Sequence, residues 1–367
     1  MKLYLIFLLP LFFYSCFPPR SIFLGHPDEK DLARFNSSII HSGNTCFEFK
    51  KENPLSGKKI KIDDWSTDIP FFMPLDSFAS SHKVRSLLII QNDTIKYEYN
   101  REGLNENTLH SSYSIAKSFM SSLIGIAIDE GYIKSEKEAV ITYIPELKNV
   151  PYAEQLTIEH LLNHTSGIKY NLANDGIIYY GRNALKALNK IKFESIPGTK
   201  QHYLNMNTEL LGIILKRATG ITPAKYLEDK IWKPVQMCGN GIWSVDEKNQ
   251  LEKSFCCIGA TALDYAKFGR LYLNKGEWNG EQIISEKWYT KSISRDTSNG
   301  SSFNYNYSWH IGLKEYGDFM AIGLYKQHIY INPNKKLLII VFNDREKPLL
   351  AERMNWWFIF RQIADQL

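Results

Sequence analysis

Tyr113-Ser114-Ile115-Ala116-Lys117-Ser118 is the stretch on which the reading of this chain turns. A serine hydroxyl is a poor nucleophile at neutral pH and needs a neighbour to take its proton. In a helix, a lysine three residues on lies one turn away on the same face, within reach of that hydroxyl. The surrounding pattern predicts such a helix. Ile115, Phe119, Leu123, Ala127 and Ile128 recur at helical spacing, and Gly131 stands at the C-terminal cap position. Ser114 then falls in the first turn, where free backbone N–H groups and the helix dipole favour negative charge.

Ser-x-x-Lys also occurs at Ser56/Lys59, Ser80/Lys83 and Ser166/Lys169. Of the four, only the copy at Ser114 starts a long apolar helix. Spacing and helix position alone balance a catalytic pair against an ordinary N-terminal serine beside a solvated lysine. A second motif lies downstream, where Tyr203-Leu204-Asn205 follows the turn Pro197-Gly198-Thr199 and precedes the apolar helix Leu210-Leu211-Gly212-Ile213-Ile214-Leu215. Tyr-x-Asn recurs at Tyr272/Asn274 and Tyr330/Asn332, where it reads as a helix end and a strand end. A tyrosine on a loop held by a helix is well placed to face a cleft.

With these motifs the chain resembles the serine hydrolases of the β-lactamase/penicillin-binding superfamily, in the branch of class C β-lactamases, esterases and aminohexanoate-oligomer (nylon-oligomer) hydrolases. The resemblance runs from about Val84 to Asp344, and its stations appear in order. They are the strand at residues 84–90 with Asn92-Asp93, then Tyr113 to Ser118, then Leu161-Leu162-Asn163-His164-Thr165-Ser166-Gly167. Pro197-Gly198 with Tyr203-Leu204-Asn205 follows, then Ala260-Thr261-Ala262-Leu263-Asp264-Tyr265-Ala266-Lys267-Phe268-Gly269. The last is Gln327-His328-Ile329-Tyr330-Ile331-Asn332-Pro333.

The resemblance implies an acyl-enzyme formed on Ser114, which splits one hard step into two easier ones. Tyr203 is expected as the base, with Lys117 supporting its proton relay. A phenol of pKa ~10 costs roughly 4 kcal/mol to deprotonate at pH 7, and a nearby ammonium lowers that cost. Lys117 and Tyr203 titrate as a pair, so the resting site of the proton stays open. Asn205 is expected to orient the lysine or the substrate amide. The oxyanion of the tetrahedral intermediate needs two donors; the resemblance gives one to the Ser114 N–H and the other to a cleft-lining edge strand near Gln327.

On that strand the sequence departs from the family. The usual Lys/His-Thr/Ser-Gly tripeptide before the donor matches Leu324-Tyr325-Lys326, without the cation at its first position and without the glycine. Side chains 324 and 326 share a strand face, so Lys326 reads either as a handle for an anionic substrate or as a solvated residue that discourages strand pairing. Tyr170 stands where aminohexanoate hydrolases place a tyrosine against the substrate or leaving group; an exposed loop tyrosine is the other reading. His160 and His164 are spaced as zinc ligands could be, but no third ligand stands nearby, so no metal is expected.

The 367 residues can bury a large core. A net charge of +5 without a basic run argues against nucleic acid, and no cofactor is expected. Lys2 and the apolar run at residues 3–14 are too short for a membrane span and read as a signal peptide over 1–15. Phe13-Tyr14-Ser15-Cys16 resembles a bacterial lipoprotein signal, with lipidation of Cys16 favoured over plain release. Residues 16–45 then form a tether and 46–367 the hydrolase domain, in a periplasmic or outer-membrane lipoprotein. Of the remaining cysteines, Cys46, Cys238, Cys256 and Cys257, at least one of the adjacent pair is expected to be free and buried.

Residues 84–90 and 94–99 read as a hairpin around Asn92-Asp93, and 328–332 with 337–343 as a second. Strands at both ends with helical patterns between them predict an α/β (α+β) fold of β-lactamase/transpeptidase type. An antiparallel sheet is flanked by helices, and a mainly helical region is inserted at about 130–255. The reading is a serine hydrolase acting on a small-molecule or short-peptide ester or amide. Two alternatives stand beside it: a β-lactamase or D-alanyl-D-alanine carboxypeptidase, and a non-catalytic binding or sensor lipoprotein on the same fold. The oligomeric state is left open.

Overall fold

The computed structural model describes residues 24–62, 71–298, 300–345 and 355–367. The signal segment and Cys16 lie outside them.

Two hairpins build the sheet. Strand β1 (Val84–Gln91) pairs antiparallel with β2 (Thr94–Asn100). Asn92 and Asp93 between them both have positive φ, the backbone that a two-residue hairpin turn requires. Further along, β3 (Phe319–Gly323), β4 (Gln327–Asn332) and β5 (Leu337–Asn343) form an antiparallel meander. β5 pairs with β1, so the two ends of the domain are neighbours in an eight-stranded sheet.

The apolar run of β1 serves both sheet faces by alternation. Leu88 and Ile90 join the main core, and Leu87 and Ile89 join a second core under helix Leu75–Ser81 and α5 (Trp356–Asp365). On the main-core side lie α1 (Ala116–Asp129) and α4 (Ala262–Leu273), which packs on β5 and β4. The region between α1 and residue 240 is helical and turn-rich, with α2 (Leu172–Tyr180) and α3 (Asn205–Thr219) as its longer helices. α3 packs against α1, which sets the first turn of one beside the first turn of the other.

Two expectations need correction. Residues 24–45 are not merely a tether, because Ser37–Ile40 pairs antiparallel with Gly241–Ser244 in a separate four-stranded sheet and Ile40 is fully buried. Its Ser-Ser-Ile-Ile sequence is too short to show a strand period, and pairing with a distant partner is what orders it. Neither adjacent cysteine is free, since Cys256 and Cys257 are bonded to each other. Cys46 pairs with Cys238.

Candidate active site

Ser114 sits in a short 3-10 turn, Tyr113–Ile115, that runs directly into α1. Tyr113 before it is buried with φ 42°, a conformation that costs a non-glycine residue about 1–3 kcal/mol unless its surroundings hold it. They do. The Tyr325 ring meets Tyr113 edge-on at 5.3 Å. Ser112 is pinned to Ile258, its N–H donating to the Ile258 carbonyl at 2.7 Å and its Oγ accepting the Ile258 N–H at 3.0 Å.

Lys117 is buried beneath the serine. Its Nζ lies 2.9 Å from Ser114 Oγ, 3.0 Å from Asn205 Oδ1 and 3.0 Å from the Phe255 carbonyl oxygen. Burial pulls its pKa down to about 7, while the charge of Asp175 pulls the other way. As an ammonium it donates to all three oxygens. As a neutral amine it donates two bonds, to Asn205 and Phe255, and turns its lone pair to the Ser114 hydroxyl. That is the arrangement a general base needs.

Tyr203 covers the pair from the cleft side. The Lys117 Nζ stands 5.0 Å from the centre of its ring, and the ring stacks on His164 at 4.4 Å. The side chain is 44 % exposed in the open cleft, but the surroundings of its hydroxyl decide its acidity. Burial there raises the pKa to about 12, and a hydrogen bond with Ser114 acts in the opposite sense. The expected lowering by the lysine is therefore not what the site produces; the depressed group is the lysine itself. His164 is fully buried, and its Nδ1 accepts the Leu204 N–H at 3.2 Å, which anchors the loop beside Tyr203. Burial keeps its pKa well below the usual histidine range. His160 serves as a helix cap, its Nδ1 accepting the Thr157 N–H. Among the described residues no cluster of three His, Cys, Asp or Glu side chains is placed to hold a metal.

The sequence-predicted residues divide. Ser114, Lys117, Tyr203 and Asn205 come together. Gln327 does not reach the cleft: it is fully buried inside the sheet, where its side chain exchanges hydrogen bonds with the Asn343 backbone. Lys326 is not on a strand face. Tyr325 and Lys326 both have φ 63° in the turn from β3 to β4, so the two-residue alternation does not apply, and Lys326 is not part of the cleft wall. Tyr170 is exposed with its ring 6.2 Å from that of His202, and it is not one of the residues lining the cleft around Ser114.

The cleft strand is β3, three residues upstream of the expected position. A Cβ on Gly323 would stand 2.5 Å from the Ser112 carbonyl oxygen, so only glycine lets the strand approach the turn that carries Ser114. The glycine is present after all, in the tripeptide Ala321-Ile322-Gly323, and Leu324 follows it at the cleft. The cleft encloses about 490 Å³ between Tyr203 and Tyr305 on one side and Ile322, Gly323 and Leu324 on the other. Gln201, Ser302, Asn304 and His310 supply its neutral polar lining.

Sequence reasoning missed Asp175, His310, Tyr305 and Phe255. Asp175 on α2 is bonded to Asn205, and burial raises its pKa against the opposing pull of Lys117. Phe255 contributes a backbone carbonyl, which no side-chain motif can signal. Gly323 was recoverable, as a glycine closing an apolar strand just before a hairpin.

Several known proteins are similar to this chain in sequence or in fold. A 6-aminohexanoate-dimer hydrolase from Paenarthrobacter ureafaciens is 22 % identical over 318 residues, 79 % of each chain. Among solved structures, a presumptive 6-aminohexanoate-dimer hydrolase from Bacillus anthracis superposes with a TM-score of 0.80 at 24 % identity, covering 90 % of this chain and 91 % of the other. EstCE1, a hydrolase with promiscuous acyltransferase activity, gives 0.61 at 14 % identity, covering 79 % and 96 %. The fold is thus of the β-lactamase/transpeptidase type. The model of the family described as Beta-lactamase matches residues 86–363, and the chain belongs to that family.

Proposed function

We propose that this beta-lactamase-family protein is a serine hydrolase that cleaves an ester or amide through an acyl-enzyme on Ser114. The observation that carries the reading is Lys117, buried, brought to a pKa of about 7 and held 2.9 Å from the Ser114 hydroxyl. Near neutral pH a large fraction of it is a free amine able to take the serine proton, which matches base strength to working pH. Tyr203, pushed up to about 12, stays a neutral phenol and is suited to donate rather than to accept.

The steps balance on these groups. The Ser114 oxygen adds to the carbonyl carbon as its proton passes to Lys117. The resulting oxyanion is received by the backbone N–H groups of Ser114 and Leu324. Collapse expels the alcohol or amine, which takes a proton from Tyr203, and the Lys117 ammonium restores that proton. Water then repeats the sequence on the acyl-enzyme, with Lys117 again as base, and releases the acid and free Ser114. Asn205 and the Phe255 carbonyl fix the amine throughout.

The aminohexanoate-dimer relative supports linear amides among the substrates. The β-lactamase and D-alanyl peptidase reading is weaker, because Ala321-Ile322-Gly323 lacks the cation and the hydroxyl of the usual tripeptide. The apolar run before Cys16 supports export and lipid anchoring as part of the same proposal.

A fluorophosphonate probe and a small activated ester test the hydrolase. The full chain should label at one site and turn over the ester, and Ser114→Ala should lose both. Equal ester hydrolysis in the two proteins, or no labelling in either, would instead favour the non-catalytic binding protein.

A further inference from the structure

Resting on that reading, we propose that the acyl subsite beside Ser114 is built for an uncharged acyl chain and rejects one that ends in a carboxylate. The evidence is the wall that β3 presents. Ala321 is fully buried and Ile322 lines the cleft, followed by Gly323 against the Ser112 carbonyl and by Leu324, which is 45 % exposed. Of these, Ile322 and Leu324 present methyl and methylene groups to the cleft that holds Ser114.

The polar groups opposite are neutral. Gln201, Ser302 and Asn304 can donate or accept hydrogen bonds but carry no charge. His310 lines the same space, and burial, aided by the charge of Lys117, lowers its pKa to about 4. It is therefore uncharged wherever Lys117 can act as base. Lys117 itself is committed to three fixed oxygens beneath the serine. Lys326, for which an anion handle is one of two readings of the sequence, lies in the β3–β4 connection and is not part of the wall.

A carboxylate entering this space exchanges water for uncharged neighbours, and an ion without a counter-charge is heavily penalised on leaving water. A methylene in the same place gains instead, by about fourfold in affinity for each one fully buried. The preference also runs against the molecule as a whole. With a net charge of +5 the protein attracts anions at long range, so discrimination against them must come from the cleft.

Two p-nitrophenyl esters of nearly equal length separate the cases, one with a pentanoyl and one with a glutaryl acyl group, the latter ending in a carboxylate. The full chain should hydrolyse the pentanoyl ester with kcat/KM at least about tenfold higher. Ile322→Lys should narrow or reverse that ratio, with fluorophosphonate labelling of Ser114 confirming that the variant folds. Equal kcat/KM for the two esters, or a preference for glutaryl, in a wild-type protein that labels at Ser114 would overturn this inference and leave the hydrolase standing. Absence of labelling and of turnover with both esters would overturn the hydrolase and this inference with it.

Discussion

Lys117 is the residue on which the proposed chemistry depends, and its state is set by two opposing influences. Burial favours the neutral amine, and the Asp175 carboxylate favours the ammonium. The first wins, bringing the group to about 7. The sign of a change at Asp175 follows directly. Asp175→Asn removes the charge that holds the proton on, so the Lys117 pKa falls and the rising limb of kcat/KM moves to lower pH. A limb that moves upward, or stays in place, would show that Asp175 does not act on Lys117. Tyr203 lies outside this range, and its phenol should remain protonated across the working pH. Ser114, Lys117 and Tyr203 were legible in the sequence because each has a distinctive side chain at a fixed offset from a helix start. The division of labour proposed for them was not, because it depends on which group is desolvated more, and desolvation is a property of the packed site.

At the scale of elements, the site is a junction of two helix starts, one strand end and one loop. α1 brings Ser114 and Lys117, α3 brings Asn205, β3 brings Gly323, and the loop after residue 252 brings the Phe255 carbonyl. That loop is held on several sides. The Trp243 Nε1 donates to the carbonyls of Lys253 and Cys256, and Glu209 of α3 accepts the Ser254 N–H at 3.0 Å. Glu209 is one helical turn beyond Asn205, so α3 holds two of the three oxygens around Lys117, that of Asn205 directly and that of Phe255 through the loop. Burial raises the Glu209 pKa to about 8, against the pull of Lys253. An amide offers the same accepting oxygen to the Ser254 N–H and can replace the carboxyl group there. Glu209→Gln should retain most activity. Glu209→Leu should leave the Ser254 N–H unpaired, at a cost of about 1–3 kcal/mol in urea unfolding, and should lower kcat as Phe255 loses its place. Equal behaviour of the two variants would count against this role. The misplacement of the cleft strand belongs to this scale as well. Both β3 and β4 are largely buried and lead into or out of the same turn, and in Ala321-Ile322-Gly323 the residues that normally mark the strand have been replaced by aliphatic ones. Only the contact between Gly323 and Ser112 separates the two registers.

For the whole molecule, the sheet joins the ends of the domain through β1 and β5, and this closure was readable from the two hairpins alone. The N-terminal segment was not. Its contribution is tertiary: Ser37–Ile40 adds to the small sheet, and the Cys46–Cys238 bridge, spanning 192 residues, ties the same segment to the helical region. A cross-link over so long a separation stabilises chiefly by restricting the unfolded chain. The double variant Cys46→Ala/Cys238→Ala should lose about 2–4 kcal/mol of stability, measured by urea unfolding, with ester hydrolysis below its transition little changed because the bridge lies away from Ser114. An unchanged midpoint would mean that the bridge adds nothing beyond the strand pairing. The central claim concerns the base beneath the nucleophile, and it is tested most directly by the rate at which a fluorophosphonate labels Ser114 as a function of pH. The account predicts a rate that rises with pH through a single step centred at about 7 and is abolished by Lys117→Met. A rate that is flat through neutrality, or that rises only near the pKa of an ordinary lysine or tyrosine, would contradict it.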